Sequence, residues 1–191
     1  MKILIIGGAS HSLISFRGAL IQALKIGGHE VVACSGEPQN DVIKKLNDWG
    51  VAYVPVHLSR VGIRPWEDLR TCWELFSLMK KYRPDIVLAY TIKPVVWGGL
   101  AAGLAGIREM YALITGLGYA FVSRNNFKDR MIGWLAIHLY RFSLRKCRVV
   151  FFQNPDDMKE FIDQRIVKEQ QCLIVNGSGV DLDYYGLAPL P

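Results

Sequence analysis

Short runs of apolar, β-favouring residues alternate with helical patterns along almost the whole chain. Such runs predict strands at residues 2–6, 30–35, 52–56, 85–90, 110–115, 148–153 and 172–175. Most are continuously apolar, which is typical of parallel strands covered on both faces. Strands that alternate with helices favour right-handed crossovers. The pattern therefore predicts an α/β fold with a doubly wound, mostly parallel, Rossmann-like sheet.

Two of the intervening helices can be placed from capping residues and apolar spacing. The first is expected to have Ser12 as its N-cap and to end at Gly27 and Gly28. Its predicted buried face consists of Phe16, Leu20 and Leu24. The second is expected to open at Pro65 and to end before Pro84. Its predicted buried face, spaced by three and four residues, consists of Trp66, Leu69, Trp73, Phe76 and Met79.

The length of 191 residues suits one domain, predicted to cover residues 1–185, with residues 186–191 as the start of a linker. The 4 cysteines form no C-x-x-C pair, so we expect reduced thiols in a cytoplasmic protein and neither a zinc site nor a disulfide framework. No apolar run approaches the roughly 20 residues of a membrane span. A net charge of +6 favours an anionic partner, and charge alone leaves nucleic acid, phospholipid or a phosphorylated small molecule open.

Ligands of open α/β sheets gather at the carboxyl ends of the strands. After the first predicted strand come small residues, GGASHS at 7–12, through which backbone amides can approach a ligand. They do not form the G-x-G-x-x-G fingerprint, although dinucleotide binding stays open because Glu37 follows the second predicted strand. A tight turn that binds no ligand is the other alternative. A second cluster, GLGYAF at 116–121, offers Tyr119 or Phe121 for stacking on a sugar, with core packing as the alternative.

Basic residues also stand near the predicted strand ends. Arg17, Arg60 and Lys93 would suit a diphosphate if they converge, whereas each alone would be an ordinary surface residue. The apolar, basic helix at 127–148 predicts either contact with an anionic membrane or an ordinary helix covering the sheet. Asn154 and Pro155 predict the cap and first turn of a later helix. The histidines lack metal-ligand spacing, so we expect no metal.

Three stretches resemble the family-4 glycosyltransferases, which have the two-domain GT-B architecture. They are GHEVV at 28–32, RPDIV at 83–87, and NGSGVD at 176–181 followed by two tyrosines. Relative to the shortest form of the last motif, Ser178 and Gly179 are an insertion. Further segments, HLSR at 57–60, TIKP at 91–94 and ITGLGY at 114–119, resemble a bacterial subgroup that builds capsule, O-antigen or protein-linked glycans on polyprenyl-diphosphate carriers.

The resemblance implies the N-terminal, acceptor-side half of a retaining hexosyl- or N-acetylhexosaminyltransferase. Its implied partners are a polyprenyl-diphosphate-linked saccharide and, through an absent C-terminal half, a nucleotide diphosphate sugar; no cofactor and no nucleic acid are implied. The location implied is the cytoplasm, at most peripheral on the inner face of the membrane. The implied acceptor-side residues are Gly8, Ala9, Ser10, His11, Arg17, Arg60, Lys93, Gly116, Gly118 and Tyr119.

The chain departs from the family pattern at one position and leaves two other hypotheses open. Many retaining relatives carry a histidine after the fifth strand, where this chain has Gly116, so no catalytic residue is assigned. One alternative is a nicotinamide-dependent sugar-nucleotide reductase or dehydratase, against which the missing fingerprint and the missing Tyr-x-x-x-Lys pair argue. The other is a non-enzymatic anion-binding module.

Overall fold

The computed structural model of the chain describes residues 1–59, 64–117 and 127–179. Its strands are β1 (Lys2–Ala9), β2 (Glu30–Gly36), β3 (Ala52–Pro55), β4 (Ile86–Tyr90), β5 (Glu109–Ile114), β6 (Val149–Phe152) and β7 (Cys172–Ile174). Its helices are α1 (Ser10–Ser15), α2 (Gly18–Ile26), α3 (Asn40–Asp48), α4 (Pro65–Tyr82), α5 (Ile92–Ala105), α6 (Phe127–Leu144) and α7 (Pro155–Asp163), with a 3₁₀ turn at Glu169–Gln171.

The strands form one 7-stranded sheet in the order β3-β2-β1-β4-β5-β6-β7, and every neighbouring pair is parallel. In register, Ile3 of β1 lies between Val31 of β2 and Ile86 of β4. The strand order reverses direction between β1 and β4, which is where ligands bind in sheets of this kind. The predicted doubly wound parallel sheet is confirmed, and all seven predicted strands are present.

Each face of the sheet carries its own hydrophobic core. Successive residues of β1 alternate between them: Leu4 and Ile6 face the cluster shared with α4 and α5, while Ile3 and Ile5 face the cluster shared with α1, α2 and α3. All four side chains are buried. The central strands are apolar on both faces because both faces are covered, as the continuous apolar runs predicted.

The predicted first helix is wrong in detail, because the chain forms two helices there. β1 continues to Ala9, so α1 begins at Ser10 and breaks at Phe16 before α2 starts at Gly18. Ser12 lies inside α1 instead of capping it. The break changes which residues face the sheet: Leu13 and Ile21 are buried, Phe16 and Leu20 are exposed, and Leu24 is half-buried. The predicted end at Gly27 and Gly28 is confirmed.

The bounds of α4 agree with prediction, but its predicted buried face is largely wrong. Trp66 and Trp73 are 84% and 67% exposed, and Leu69 is exposed too; Phe76 is half-buried, and only Met79 of that set is buried. The buried face consists of Asp68, Thr71, Cys72, Leu75, Leu78 and Met79. Both faces have helical spacing, so periodicity could not choose between them. Burial of Asp68 is accommodated by an ion pair described below.

Two other predictions concern the later part of the chain. Asn154 caps α7, since its Oδ1 accepts a hydrogen bond of 2.7 Å from the Asp157 N–H, and Pro155 occupies the first turn as predicted. The cysteines are free thiols. The predicted linker at 186–191 and the domain end at 185 lie outside the described residues, so both stay predictions.

Candidate functional site

A cavity of about 490 Å³ opens at the carboxyl ends of β1 and β4, where the strand order reverses. We call it the switch-point pocket. Its lining residues are Gly8, Ala9, Ser12, Phe16, Arg17, Leu58, Tyr90, Thr91, Ile92, Lys93, Pro94, Thr115, Gln153 and Ser178. This set contains two cations and several hydroxyl groups but no carboxylate, so among the described residues the pocket is suited to an anion.

The floor of the pocket is fixed by close contacts between the ends of β1 and β4. A Cβ atom on Gly7 would lie 2.4 Å from the Tyr90 hydroxyl, and one on Gly8 would lie 2.8 Å from Thr91 Oγ1. Thr91 has φ 69° and ψ 162°, a backbone region that is almost restricted to glycine. Glycine is therefore required on the β1 side, while the β4 side holds a strained residue at the pocket wall.

Tyr90 links this floor to α1. Ser12 Oγ donates a hydrogen bond of 2.6 Å to the Ala9 carbonyl, so the Tyr90 hydroxyl, 2.8 Å from Ser12 Oγ, acts as the donor to it. Burial raises the pKa of Tyr90 to about 12, although the Ser12 hydrogen bond and the charge of Arg17 act in the opposite direction. Tyr90 is thus neutral at ordinary pH and serves as a hydrogen-bond donor.

Arg17 lies in the break between α1 and α2, and its side chain is only 5% exposed. Its Nη1 donates to the Phe16 carbonyl and to Ser178 Oγ, both at 2.7 Å, and its Cζ stands 4.8 Å from the centre of the Tyr90 ring. Its Nε has no hydrogen-bond partner among the described residues, and no carboxylate there pairs with it. Burial lowers its pKa, which the Tyr90 interaction opposes. A guanidinium stays protonated in proteins, so Arg17 is a largely buried positive charge with no carboxylate partner among the described residues.

Lys93, in the first turn of α5, is arranged differently. Its Nζ lies 2.9 Å from Oδ1 of Asp68, a residue of the buried face of α4. The other carboxylate oxygen of Asp68 accepts a hydrogen bond of 3.3 Å from the Arg64 N–H. Both side chains of the ion pair are largely buried. The pair therefore joins the N-terminal turns of α4 and α5, and the Lys93 charge at the pocket is already balanced.

Comparison with known families decides what kind of domain this pocket belongs to. The model of the glycosyl transferase 4-like domain matches residues 16–177, which is most of the chain. The chain belongs to this family. The match includes Arg17, Tyr90, Lys93 and Asp68, so the residues of the pocket lie within the shared domain. The nicotinamide-dependent alternative has no support in this assignment.

Two curated proteins are similar to this chain over part of their length. An N,N'-diacetylbacillosaminyl-diphospho-undecaprenol alpha-1,3-N-acetylgalactosaminyltransferase of Campylobacter jejuni is 28% identical over 182 residues, covering 95% of this chain and 47% of that protein. A UDP-Gal:alpha-D-GlcNAc-diphosphoundecaprenol alpha-1,3-galactosyltransferase of Escherichia coli is 26% identical over 122 residues, covering 64% of this chain and 30% of that protein. The chain thus spans about half or less of the length of these relatives.

Solved structures agree on the fold. A glycosyltransferase from Rickettsia africae superposes with a TM-score of 0.62 at 18% identity, covering 98% of this chain and 46% of that structure. Similarity at this level of identity concerns architecture alone. It shows that this chain has the same Rossmann-like fold as part of that structure.

The structure brings only some of the predicted site residues together. Gly8, Ala9, Arg17 and Lys93 line the switch-point pocket. Ser10 is buried and donates to the Glu37 carbonyl at 2.7 Å, which is a structural contact. Arg60, Gly118 and Tyr119, like Phe121, lie outside the described residues.

The two remaining predicted residues lie beside the pocket. His11 is exposed and lines a neighbouring cavity of about 550 Å³, with Ser15 Oγ within 3.0 Å of its ring. Gly116 does not line the pocket, although Thr115 does. Among the described residues, the first predicted glycine-rich loop thus lines the pocket with Gly8 and Ala9, whereas Gly116 of the second loop does not line it.

Several residues of the site were not predicted as such. Tyr90 is the last residue of β4 and Thr91 follows it, so their position at the carboxyl end of a central strand could have identified both. Asp68 looked like an ordinary helix carboxylate, and Ser178 appeared only as an insertion in a motif. Their roles depend on contacts between residues far apart in the chain: Asp68 lies 25 positions from Lys93, and Ser178 lies 161 positions from Arg17.

Two further findings concern the described residues as a whole. No three His, Cys, Asp or Glu side chains among them come together as a metal site would require. No helix in the described ranges is long and apolar enough to cross a membrane.

Proposed function

We propose that this chain is the acceptor-side half of a retaining glycosyltransferase that moves a hexose or N-acetylhexosamine from a nucleotide diphosphate sugar to a polyprenyl-diphosphate-linked saccharide. The observation that carries the proposal is the Arg17 guanidinium at the switch-point pocket, which is largely buried and has no carboxylate partner among the described residues. A diphosphate supplies the anion that such a group requires.

The identity of the anion is suggested by the two curated relatives. Both are named for acceptors in which a sugar is joined to undecaprenol through a diphosphate. In the proposed complex, phosphate oxygens bind Arg17, while the hydroxyls of Thr91 and Ser12 and the positive end of the α5 dipole lie nearby. Lys93 adds a second cation at the rim, restrained by Asp68.

The donor sugar is proposed to bind the missing half. No carboxylate or imidazole lines the switch-point pocket among the described residues, so this part of the pocket offers no general base for an acceptor hydroxyl. That absence fits a retaining transfer in which the donor's leaving diphosphate takes up the proton. In this proposal no metal and no cofactor is required, because cations of the protein and helix dipoles neutralise the leaving group.

Ligand discrimination by the 191-residue chain tests the proposal. Calorimetric titration with a short-chain polyprenyl-diphosphate-linked N-acetylhexosamine should give clear binding, whereas a UDP-sugar should bind weakly and should not be turned over. The matched control ligand is the corresponding polyprenyl monophosphate sugar, which offers fewer oxygens to Arg17 and should bind less tightly. Equal affinity for all three ligands, or sugar transfer by the isolated chain, would show that the assignment of an acceptor-side half is wrong.

We also propose a peripheral location on the inner face of the cytoplasmic membrane. On α6, Met131, Trp134, Leu135 and Phe142 form an exposed apolar stripe, of which Trp134 is 60% and Phe142 68% exposed. On α4, Trp66, Leu69 and Trp73 form a second one, and both helices pack against α5. Exposed arginines and a lysine at 130, 145, 146 and 148 accompany the α6 stripe, as expected for an anionic lipid surface.

Lys128 and Arg141 also belong to the basic helix predicted at 127–148, and Arg141 makes contacts within the protein. Arg141 donates to the carbonyls of Gln164 and Arg165 at the end of α7, at 2.8 and 3.0 Å, so it joins α6 to α7. The side chain of Lys128 lies outside the described residues. Binding to phosphatidylglycerol vesicles should fall steeply with salt, and Phe142→Ser should weaken it while Leu104→Ser, an exposed residue of α5, should matter less. Sedimentation that is independent of phosphatidylglycerol content would contradict this location.

A further inference from the structure

The segment that follows β7 reaches back to the switch-point pocket through one serine. Ser178 Oγ lies 2.7 Å from Arg17 Nη1 and 3.1 Å from Gln153 Nε2. Both partners are donors, so the hydroxyl accepts both hydrogen bonds. Gln153 directly follows β6, and Arg17 precedes α2. One hydroxyl therefore connects three distant parts of the chain at the mouth of the pocket.

The backbone around Ser178 is shaped for this contact. Gly177 and Gly179 have φ values of 73° and 72°, in the left-handed region that favours glycine. The Gly177 N–H donates to the Val175 carbonyl at 2.8 Å, which forms a tight turn. Ser178 and Gly179 are the two residues inserted into the N-G-V-D motif. The insertion thus supplies both the hydroxyl that contacts Arg17 and one of the glycines that place it.

The two hydrogen bonds of Arg17 determine how its guanidinium is presented. The planar group has five N–H donors in a fixed fork. The Phe16 carbonyl and Ser178 Oγ both accept from Nη1, which fixes the plane, while Nε has no partner among the described residues. Without Ser178, the guanidinium would be held from one side only and could rotate about its last torsions. Ser178 therefore pre-organises the donor edge that an anion would use.

We propose that Ser178 is a positioning residue for anion binding at Arg17, and that an anion in the pocket in turn orders residues 176–179. The inference rests on the proposed diphosphate site. Because coupling between two sites is reciprocal, an anion that fixes Arg17 strengthens its bond to Ser178, and an ordered Ser178 strengthens anion binding. Occupancy of the pocket is thereby coupled to the order of residues 176–179, which follow β7.

Inorganic pyrophosphate is the probe for a first test, by calorimetry on the 191-residue chain at low salt. Ser178→Ala should weaken binding by about three- to tenfold, the size of one ordinary hydrogen bond, because Ser178 acts on the anion only through Arg17. Ser178→Thr keeps the hydroxyl and should bind within about twofold of the original chain. Ser77→Ala removes an exposed serine of α4 away from the pocket and should leave affinity unchanged.

A second test measures the coupling itself. Pyrophosphate should slow amide hydrogen exchange at residues 176–179 in the original chain but not in Ser178→Ala. In an Arg17→Met background, Ser178→Ala should have no further effect on pyrophosphate affinity, since the group that Ser178 positions is gone. Ser178 lies on an exposed segment, and unchanged circular dichroism of its variants would confirm that they fold.

The outcomes separate this inference from the function on which it rests. If Ser178→Ala binds pyrophosphate like the original chain while Arg17→Met does not, the positioning role is wrong and the anion site stands. If exchange at 176–179 responds to pyrophosphate equally in the original chain and in Ser178→Ala, the coupling is wrong. If Arg17→Met binds as well as the original chain, the proposed anion site itself is wrong.

Discussion

The two walls of the switch-point pocket hold their cations in opposite ways. On the β4 side, Lys93 is paired with the buried carboxylate of Asp68 at 2.9 Å. On the β1 side, Arg17 is 5% exposed, donates only to a carbonyl and a hydroxyl, and leaves Nε unsatisfied among the described residues. From the sequence the two residues looked equivalent, as cations near neighbouring strand ends.

We propose that this difference separates a cation that stabilises the fold, Lys93, from one that binds a ligand, Arg17. The charge of Lys93 is neutralised internally, so removing either member of the pair leaves a buried charge behind and should destabilise the domain. Arg17 has no such partner, so the folded state bears the cost of its burial, and an arriving anion relieves it. Substitutions at the Lys93 wall should therefore lower stability more than ligand affinity, and substitutions at the Arg17 wall should lower ligand affinity more than stability.

The largest expected effect is on stability, at the Lys93 wall. Asp68→Ala should lower the free energy of unfolding by roughly 3 kcal/mol, because Lys93 would be left buried and unpaired. Urea denaturation followed by circular dichroism at pH 7 measures it. Glu67→Ala, one position earlier, removes an exposed partner of Arg64 and should leave the midpoint unchanged.

A double variant tests whether the ion pair itself is responsible. Asp68→Leu combined with Lys93→Met replaces the pair by apolar groups of similar size and should recover most of the lost stability. If Asp68→Ala were as stable as the original chain, Lys93 would have to be free to bind ligand. The two walls would then be alike, and the contrast between them would be wrong.

An intermediate effect on stability is expected from pH, through the ionisation of Tyr90, whose ring contacts Arg17. Burial holds the pKa of Tyr90 at about 12, so between its ordinary value of about 10 and 12 the unfolded chain loses this proton while the folded chain keeps it. Stability should be fully present below pH 10 and should fall by on the order of 2 kcal/mol as pH rises to 12. Tyr90→Phe should make this decline shallower in thermal melts. Identical slopes for both proteins would show that Tyr90 ionises freely next to Arg17.

A smaller change in stability, but a larger one in binding, is expected at the Arg17 wall. Arg17→Met removes a charge that has no carboxylate partner, so the free energy of unfolding should change by less than about 1 kcal/mol. Pyrophosphate affinity should nevertheless fall by about tenfold or more. Lys93→Met should show the reverse pattern, with a large loss of stability and a modest loss of affinity. If Arg17→Met and Lys93→Met changed stability and pyrophosphate affinity in the same ratio, the distinction between the two walls would be wrong.

Sequence patterns predicted the parts of this fold that depend on neighbours along the chain. Continuous apolar runs placed the strands, including β2 within one residue of its observed end at Gly36. Asn154 and Pro155 placed the start of α7, because a cap needs only the following turn. Helix faces were harder: α4 has two apolar faces, and which one meets the sheet depends on α5 and on the Asp68–Lys93 pair.

Site residues show the same division. Gly8, Ala9, Arg17 and Lys93 were predicted because strand ends converge in any parallel sheet. Whether Lys93 or Arg17 is neutralised could not be predicted, since their contacts come from distant positions. Ser10, predicted as a ligand-binding residue, is buried and donates to the Glu37 carbonyl, and β1 runs three residues further than predicted before α1 begins. The sequence alone does not tell which hydroxyl side chain of a loop faces the pocket and which contacts the backbone.

The smallest expected effect concerns strain on the β4 wall. Thr91 holds φ 69° and ψ 162°, at a cost of about 1–3 kcal/mol, whereas glycine adopts this region freely but loses more entropy on folding. Thr91→Gly should therefore raise the free energy of unfolding by roughly 0.5–1 kcal/mol in urea denaturation. Thr91→Ser keeps both the hydroxyl and the strain and should give no gain. A destabilised Thr91→Gly variant would mean that the threonine side chain contributes more at this wall than its backbone costs.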